Sequence, residues 1–211
     1  IGASKGRVPR EPYFETPLIP AGYAFSIWSV IFLGMIASAA YWCFPSQKDN
    51  QLFKALGWNL FLTYLGIDTW ALLALGLFKY WYILGTVFLF TLFFVIKALF
   101  IMADYKQWDR TSNILVWFPI SLLAGWCNAA CLLNWAPIII HQDLINRDVL
   151  YVFWLLMLAG SATYCTKRTN GNKAYAGTIC WALIAIAVAN LTADNAKTYL
   201  AVISGVGVLY Q

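Results

Sequence analysis

The chain has 211 residues, of which 62% are apolar and 11% charged. Soluble domains carry about 25% charged and about 45–50% apolar residues, so nine acids and fourteen bases cannot clothe a water-soluble fold of this size. That balance excludes an ordinary soluble enzyme, a disordered chain and a nucleic-acid binder; the net charge of +5 reflects scarce acids rather than a basic stripe.

An integral membrane protein remains. The first stretch, 1–19, carries Pro9, Pro12 and Pro17 and runs into Pro20, so it reads as extended rather than helical. A bilayer core of ~30 Å needs roughly 20 apolar residues at 1.5 Å rise each. Seven segments meet or approach that length: 20–44, 52–76, 80–103, 113–140, 148–166, 173–193 and 198–211. None alternates with a period of two, which argues against a β-barrel. Short polar joints separate them, among them Asn170-Gly171, so consecutive spans are antiparallel neighbours in one bundle. Lys and Arg divide six against seven between the two sides, and no orientation follows. The fold class is all-α, a polytopic transmembrane bundle of about seven spans.

Catalytic machinery is absent from the sequence. There is no G-x-S-x-G, no H-E-x-x-H and no phosphate loop, so no catalytic residue is assigned and the chain reads as a non-enzyme. Cys43, Cys127, Cys131, Cys165 and Cys180 form no C-x-x-C pair, and His141 is the single histidine, at a membrane boundary. Small packing thiols and a rim histidine hold neither a metal nor a bis-histidine haem.

Charges within spans carry more weight, because each costs about 2.5–3.5 kcal/mol at a helix centre on insertion scales. Lys97 has a stem long enough to snorkel. Asp68, within Gly66-Ile67-Asp68-Thr69-Trp70, does not. It is expected to face the bundle interior, a water-filled cavity or a partner subunit, as a ligand-lining group or a structural hydrogen bond. Antiparallel geometry sets Asp68 and Lys97 at different depths, so they are not expected to pair. An ion-coupled transporter built on these two charges would show paired broken helices, and no internal repeat supports one.

The chain also carries eleven Trp, twelve Tyr and fourteen Phe. Trp42, Trp58, Tyr80, Trp81, Trp108 and Tyr151 suit an interfacial belt. Trp28, Trp70 and Trp126 lie deeper in their spans. Small residues crowd two of them: Gly34, Ala37 and Ser38 follow Trp28, and Gly125, Ala129 and Ala130 flank Trp126. Such residues let helices approach closely or leave room for a flat ligand, and indoles suit planar apolar molecules.

The run Pro20-Ala21-Gly22-Tyr23-Ala24-Phe25-Ser26-Ile27-Trp28-Ser29-Val30-Ile31-Phe32 resembles a signature of the tryptophan-rich sensory protein family, which includes the mitochondrial translocator protein, or peripheral benzodiazepine receptor. It is most similar to a longer bacterial-type branch. Trp70 matches a second motif, although Ile67 stands where the family carries Asn, with Asp68 beside it. Trp126 through Asn134 resembles the family's Trp, alanine-rich stretch and Asn, with Pro119 seven residues ahead.

The resemblance implies an extended segment over 1–19, a translocator-like core over 20–140 and additional helices over 141–211. The compact members' first helix would lie before Ile1. It further implies an internal pocket for a flat apolar ligand, lined or shaped by Tyr23, Phe25, Trp28, Trp70, Trp126 and Asn134. Pro119 would kink the fourth helix beside it, and Asp68 or Asn134 would serve as polar anchor. The expected role is a membrane binder, sensor or carrier for a tetrapyrrole, sterol or isoprenoid-like molecule. No cofactor is fixed; a bound porphyrin, sterol, carotenoid or lipid fits the expectation. The alternative is a structural accessory subunit of a larger membrane complex, packing lipids, pigments or neighbouring subunits. Expected partners are membrane lipids, a hydrophobic small molecule and further copies or host subunits, with no nucleic acid. The expected location is a bacterial inner membrane or an organelle membrane.

Overall fold

The computed structural model describes residues 16–76, 81–140, 146–192 and 197–210. Apolar runs without period-two alternation become helices, since in a membrane each backbone amide must be satisfied within its own segment. A 3-10 turn, Gly22–Ser26, leads into α1, Ile27–Trp42. A second 3-10 turn, Pro45–Gln47, precedes α2, Gln51–Gly76, and then comes α3, Trp81–Asp104. A helical turn Arg110–Ser112 and a π-helical turn Asn113–Trp117 open into α4, Phe118–Ile140. The chain continues as α5, Arg147–Arg168, α6, Lys173–Thr192, and α7, Thr198–Tyr210.

Among the described residues six helices are long and apolar enough to cross a membrane, and the apolar stretch of α7, Thr198–Leu209, is shorter. The chain is therefore an all-helical integral membrane protein, with six full spans and a shorter seventh helix among the described residues, where composition suggested about seven spans. Residues 1–15, with most of the expected N-terminal segment, lie outside the described residues, as do Lys79, Tyr80 and His141.

Helix α4 is the hub. It packs against α1, α3, α5 and α6, while α2 leans on α3, and α7 leans on α6 and α5. Burial follows that order: 67% of the α4 window is inside the bundle, against 17% for the α1 window. Consecutive helices α1 and α2 share no extensive contact.

Close approach comes from glycine. A Cβ on Gly34 would lie 2.8 Å from Pro119 Cβ, so α1 meets α4 there. A Cβ on Gly66 would collide with Thr91 Oγ1 at the α2–α3 seam. One on Gly125 would stand 2.9 Å from both the Tyr175 carbonyl and Thr178 Cβ, at the α4–α6 seam. These contacts are dispersion-driven, the main attraction available between helices in lipid. Of the small residues near Trp28 and Trp126, Gly34 and Gly125 thus serve to bring backbones together.

Pro119 has no amide to give the carbonyl four residues back. The chain absorbs this in the π-helical turn just ahead of it, Asn113–Trp117. Polar glue completes the hub. Asn128 Nδ2 donates to Ser161 Oγ at 3.0 Å and to the Tyr175 hydroxyl at 2.8 Å, joining α4, α5 and α6. Asn172 Nδ2 donates to Ser121 Oγ at 2.7 Å, while its Oδ1 accepts the Tyr175 amide at 3.1 Å and caps α6.

Asn128→Leu is expected to destabilise the bundle by about 1–3 kcal/mol, because it removes the hydrogen bonds that Asn128 gives to Ser161 and to the buried Tyr175 hydroxyl. Tyr175→Phe should cost less, since Asn128 keeps Ser161. Thermal unfolding of the two variants and their double in detergent checks the order; equal, additive losses would show that the pair is not coupled.

Candidate functional site

Five of the expected pocket residues come together. Trp28 from α1, Trp70 from α2, Trp126 and Asn134 from α4, and Phe25 from the leading turn line one cavity of about 180 Å³. Ile19, Pro20, Phe88, Ala130 and Leu133 complete the wall. Trp126, Ala130, Leu133 and Asn134 fall at i, i+4, i+7 and i+8, which is one face of α4. Phe88 arrives from α3 because α2 and α3 pack along their length.

The indoles are locked by edge-to-face contacts. Trp126 meets Phe25 at 5.8 Å and Trp28 at 6.2 Å between ring centroids, both near perpendicular. Trp70 meets Phe88 edge-on at 5.0 Å, and Trp28 stacks on Phe32 at 5.1 Å. Such pairs hold ring orientation as well as burying area.

Helix α6 sets the floor. Ala21 N donates to the Ala185 carbonyl at 3.0 Å, and Trp181 Nε1 donates to the Ala24 carbonyl at 3.0 Å. Asn190 Nδ2 donates to the Pro17 carbonyl at 2.6 Å. Three bonds to one helix therefore fix residues 17–24, and with them the position of Ile19, Pro20 and Phe25.

The electrostatics of the cavity are those of unused donors. Trp135 and Trp181 give their indole N–H groups to the Gly85 and Ala24 carbonyls. Trp70 Nε1 and Trp126 Nε1 are buried without a hydrogen-bond partner, and both residues line the cavity. Trp42 and Trp154 are also unpaired, but neither belongs to this wall. Asn134 Nδ2 donates to the Ala130 carbonyl at 2.8 Å. A buried unsatisfied donor costs about 1–3 kcal/mol, so two residues of this apolar wall each carry an unused donor. Its described lining contains no acid, base or nucleophile.

Three expected residues lie elsewhere. Tyr23 is 43% exposed and packs edge-on against Trp181 at 5.3 Å. Pro119 sits against Gly34, at the middle of α1, and does not line the cavity. Asp68 is exposed on α2 and does not line the cavity; it stands at the open groove between α1 and α2. Asp68 and Trp70 are two residues apart, about 200° around a helix, so Trp70 turning inward sends Asp68 outward. Lys97 is likewise exposed and sits over the Phe93 ring at 5.9 Å. Of the residues not anticipated, Pro20 opens the quoted signature, and Ala130 and Leu133 follow from the α4 face. Phe88 carries no local signal.

No curated protein and no solved structure matches the chain. The sequence model of one family does match, over residues 3–210, across both the expected 20–140 core and the 141–211 helices. With the bundle and the Trp-lined cavity in agreement with the motifs at Trp28 and Trp126, the chain belongs to the TSPO-like protein family.

Proposed function

We propose that the protein is a non-enzymatic membrane binder, acting as sensor or carrier, for an apolar molecule that bears a hydrogen-bond acceptor. The carrying observation is the pair of buried, unpartnered indole N–H groups of Trp70 and Trp126 at an apolar cavity. A carbonyl, carboxylate or ether oxygen placed between them relieves two desolvated donors, while Phe25, Trp28 and Phe88 supply dispersion. At about 180 Å³ the cavity is smaller than the roughly 300–1,000 Å³ typical of drug-sized sites. It therefore receives one end of a ligand: a propionate edge of a tetrapyrrole, a sterol hydroxyl end, or the head of an isoprenoid.

The test is a titration of the purified protein with protoporphyrin, a sterol and an isoprenoid ketone, followed by Trp fluorescence. At least one is expected to quench saturably, with affinity lowered in Trp28→Phe, Trp70→Phe and Trp126→Phe. Saturable quenching that none of the three substitutions alters would remove the cavity as the site.

A second reading, an accessory subunit of a larger membrane complex, is favoured by one observation. Asp68 and Lys97 both face outward within spans, where a neighbouring subunit would supply partners. Co-migration with a large complex at fixed stoichiometry under native purification supports that reading; a free monomer or dimer counts against it.

A further inference from the structure

A second space lies beside the cavity, beyond Trp28. The gap left between α1 and α2 forms a groove of about 390 Å³ lined by Phe32, Met35 and Ala39 of α1 and by Tyr64 and Ile67 of α2. On α1, residues 28, 32, 35 and 39 fall on one helical face, and on α2 Ile67 lies one turn from Trp70. Groove and cavity have no lining residue in common but are neighbours, since Trp28 of the cavity stacks on Phe32 of the groove at 5.1 Å. Phe32 is 45% exposed, so the groove is reached from the lipid side.

From these observations we infer that the ligand is a single-chain amphiphile lying along both: its acceptor head between the Trp70 and Trp126 indoles, its hydrocarbon tail in the α1–α2 groove. The inference rests on the cavity being the site proposed above, and adds the shape and orientation of what binds there. At 1.5 Å of rise per residue, the run from Trp28 to Ala39 spans roughly 16 Å, the length of a fatty or isoprenoid chain rather than of a disc. Access is lateral, from the bilayer, because α1 and α2 share no extensive contact along the groove and meet at its end, where Trp42 stacks on Phe53 at 4.4 Å. Asp68 fixes the direction. Its carboxylate lines the groove and has no partner among the described residues. It offers an acceptor where the indoles offer donors, so a carbonyl or carboxylate head is turned away from the groove and toward the cavity.

The experiment uses the full chain in phosphatidylcholine nanodiscs and two photoreactive palmitic acids, one with a diazirine beside the carboxyl and one with it at the chain end. Labelled residues are mapped by peptide mass spectrometry with and without excess unlabelled palmitic acid. The head-side probe is expected to label Phe25, Phe88 or Leu133, and the tail-end probe Met35, Ala39 or Tyr64, both competably. Ala39→Trp should cut the competable tail label several-fold and leave the head label and the unfolding temperature unchanged. Competable head labelling with the tail label scattered over the lipid face overturns the groove and leaves the cavity reading intact. Failure of palmitic acid to compete, while protoporphyrin still quenches in a Trp126-dependent way, likewise overturns the groove alone. Loss of every competable label and of all Trp-dependent quenching overturns both. A cross-link from groove residues to a second polypeptide also overturns the inference, since the groove would then be a protein interface.

Discussion

A Trp70→Phe, Trp126→Phe double variant is expected to bind its ligand roughly 30-fold more weakly than the parent chain. Each indole N–H contributes one hydrogen bond, worth about 1 kcal/mol net, and about 1.4 kcal/mol is tenfold in affinity. Stability of the ligand-free protein should move little. Phenylalanine keeps the ring that Phe25, Trp28 and Phe88 pack against, and it removes a donor that is buried without a partner. Lost packing and relieved desolvation therefore oppose each other. A purely structural role for the two indoles gives the reverse: a lower unfolding temperature with ligand affinity unchanged. Thermal unfolding alongside the fluorescence titration distinguishes the two.

Gly125→Leu is expected to have the largest effect on the fold. The first atom added meets the Tyr175 carbonyl at 2.9 Å, and a backbone oxygen within a helix cannot swing aside. Overpacking costs about 1–3 kcal/mol in an ordinary core, occasionally more, and here relief requires moving α6 as a whole. That motion strains the Asn172–Ser121 bond and the Trp181–Ala24 bond, both anchored on α6 and its cap. The variant should lose thermal stability and ligand binding together. Gly177→Leu is the control, because an added Cβ there meets nothing within 4 Å. It should unfold at or above the parent temperature, as leucine favours a helix over glycine by up to about 1 kcal/mol.

Much of the site was legible in the sequence. The Trp126–Asn134 face of α4 follows from helical periodicity, and the Trp28 and Trp126 motifs carry the family. Asp68 shows where such reading stops. Its cost in the membrane predicted a special position, but its direction depends on the angular register of α2. That register is set by Ile67 and Trp70 packing toward α3 and the bundle. Pro119 was expected beside the pocket, yet it is spent on the approach of α1 to α4 at Gly34.

By itself, then, the sequence determined the solvent, the helical class and the span positions. These are properties of local hydropathy, length and spacing, which act within one segment. The tertiary structure decided what surrounds them. It placed Phe88 in the wall, left a groove between α1 and α2, and used α6, a helix outside the recognisable motifs, to hold the start of the signature in place. Those outcomes depend on close approach at a few glycines and on hydrogen bonds between distant segments. The aromatic excess of the composition thereby narrows to two donors, Trp70 and Trp126, which the fold buries and leaves without a partner.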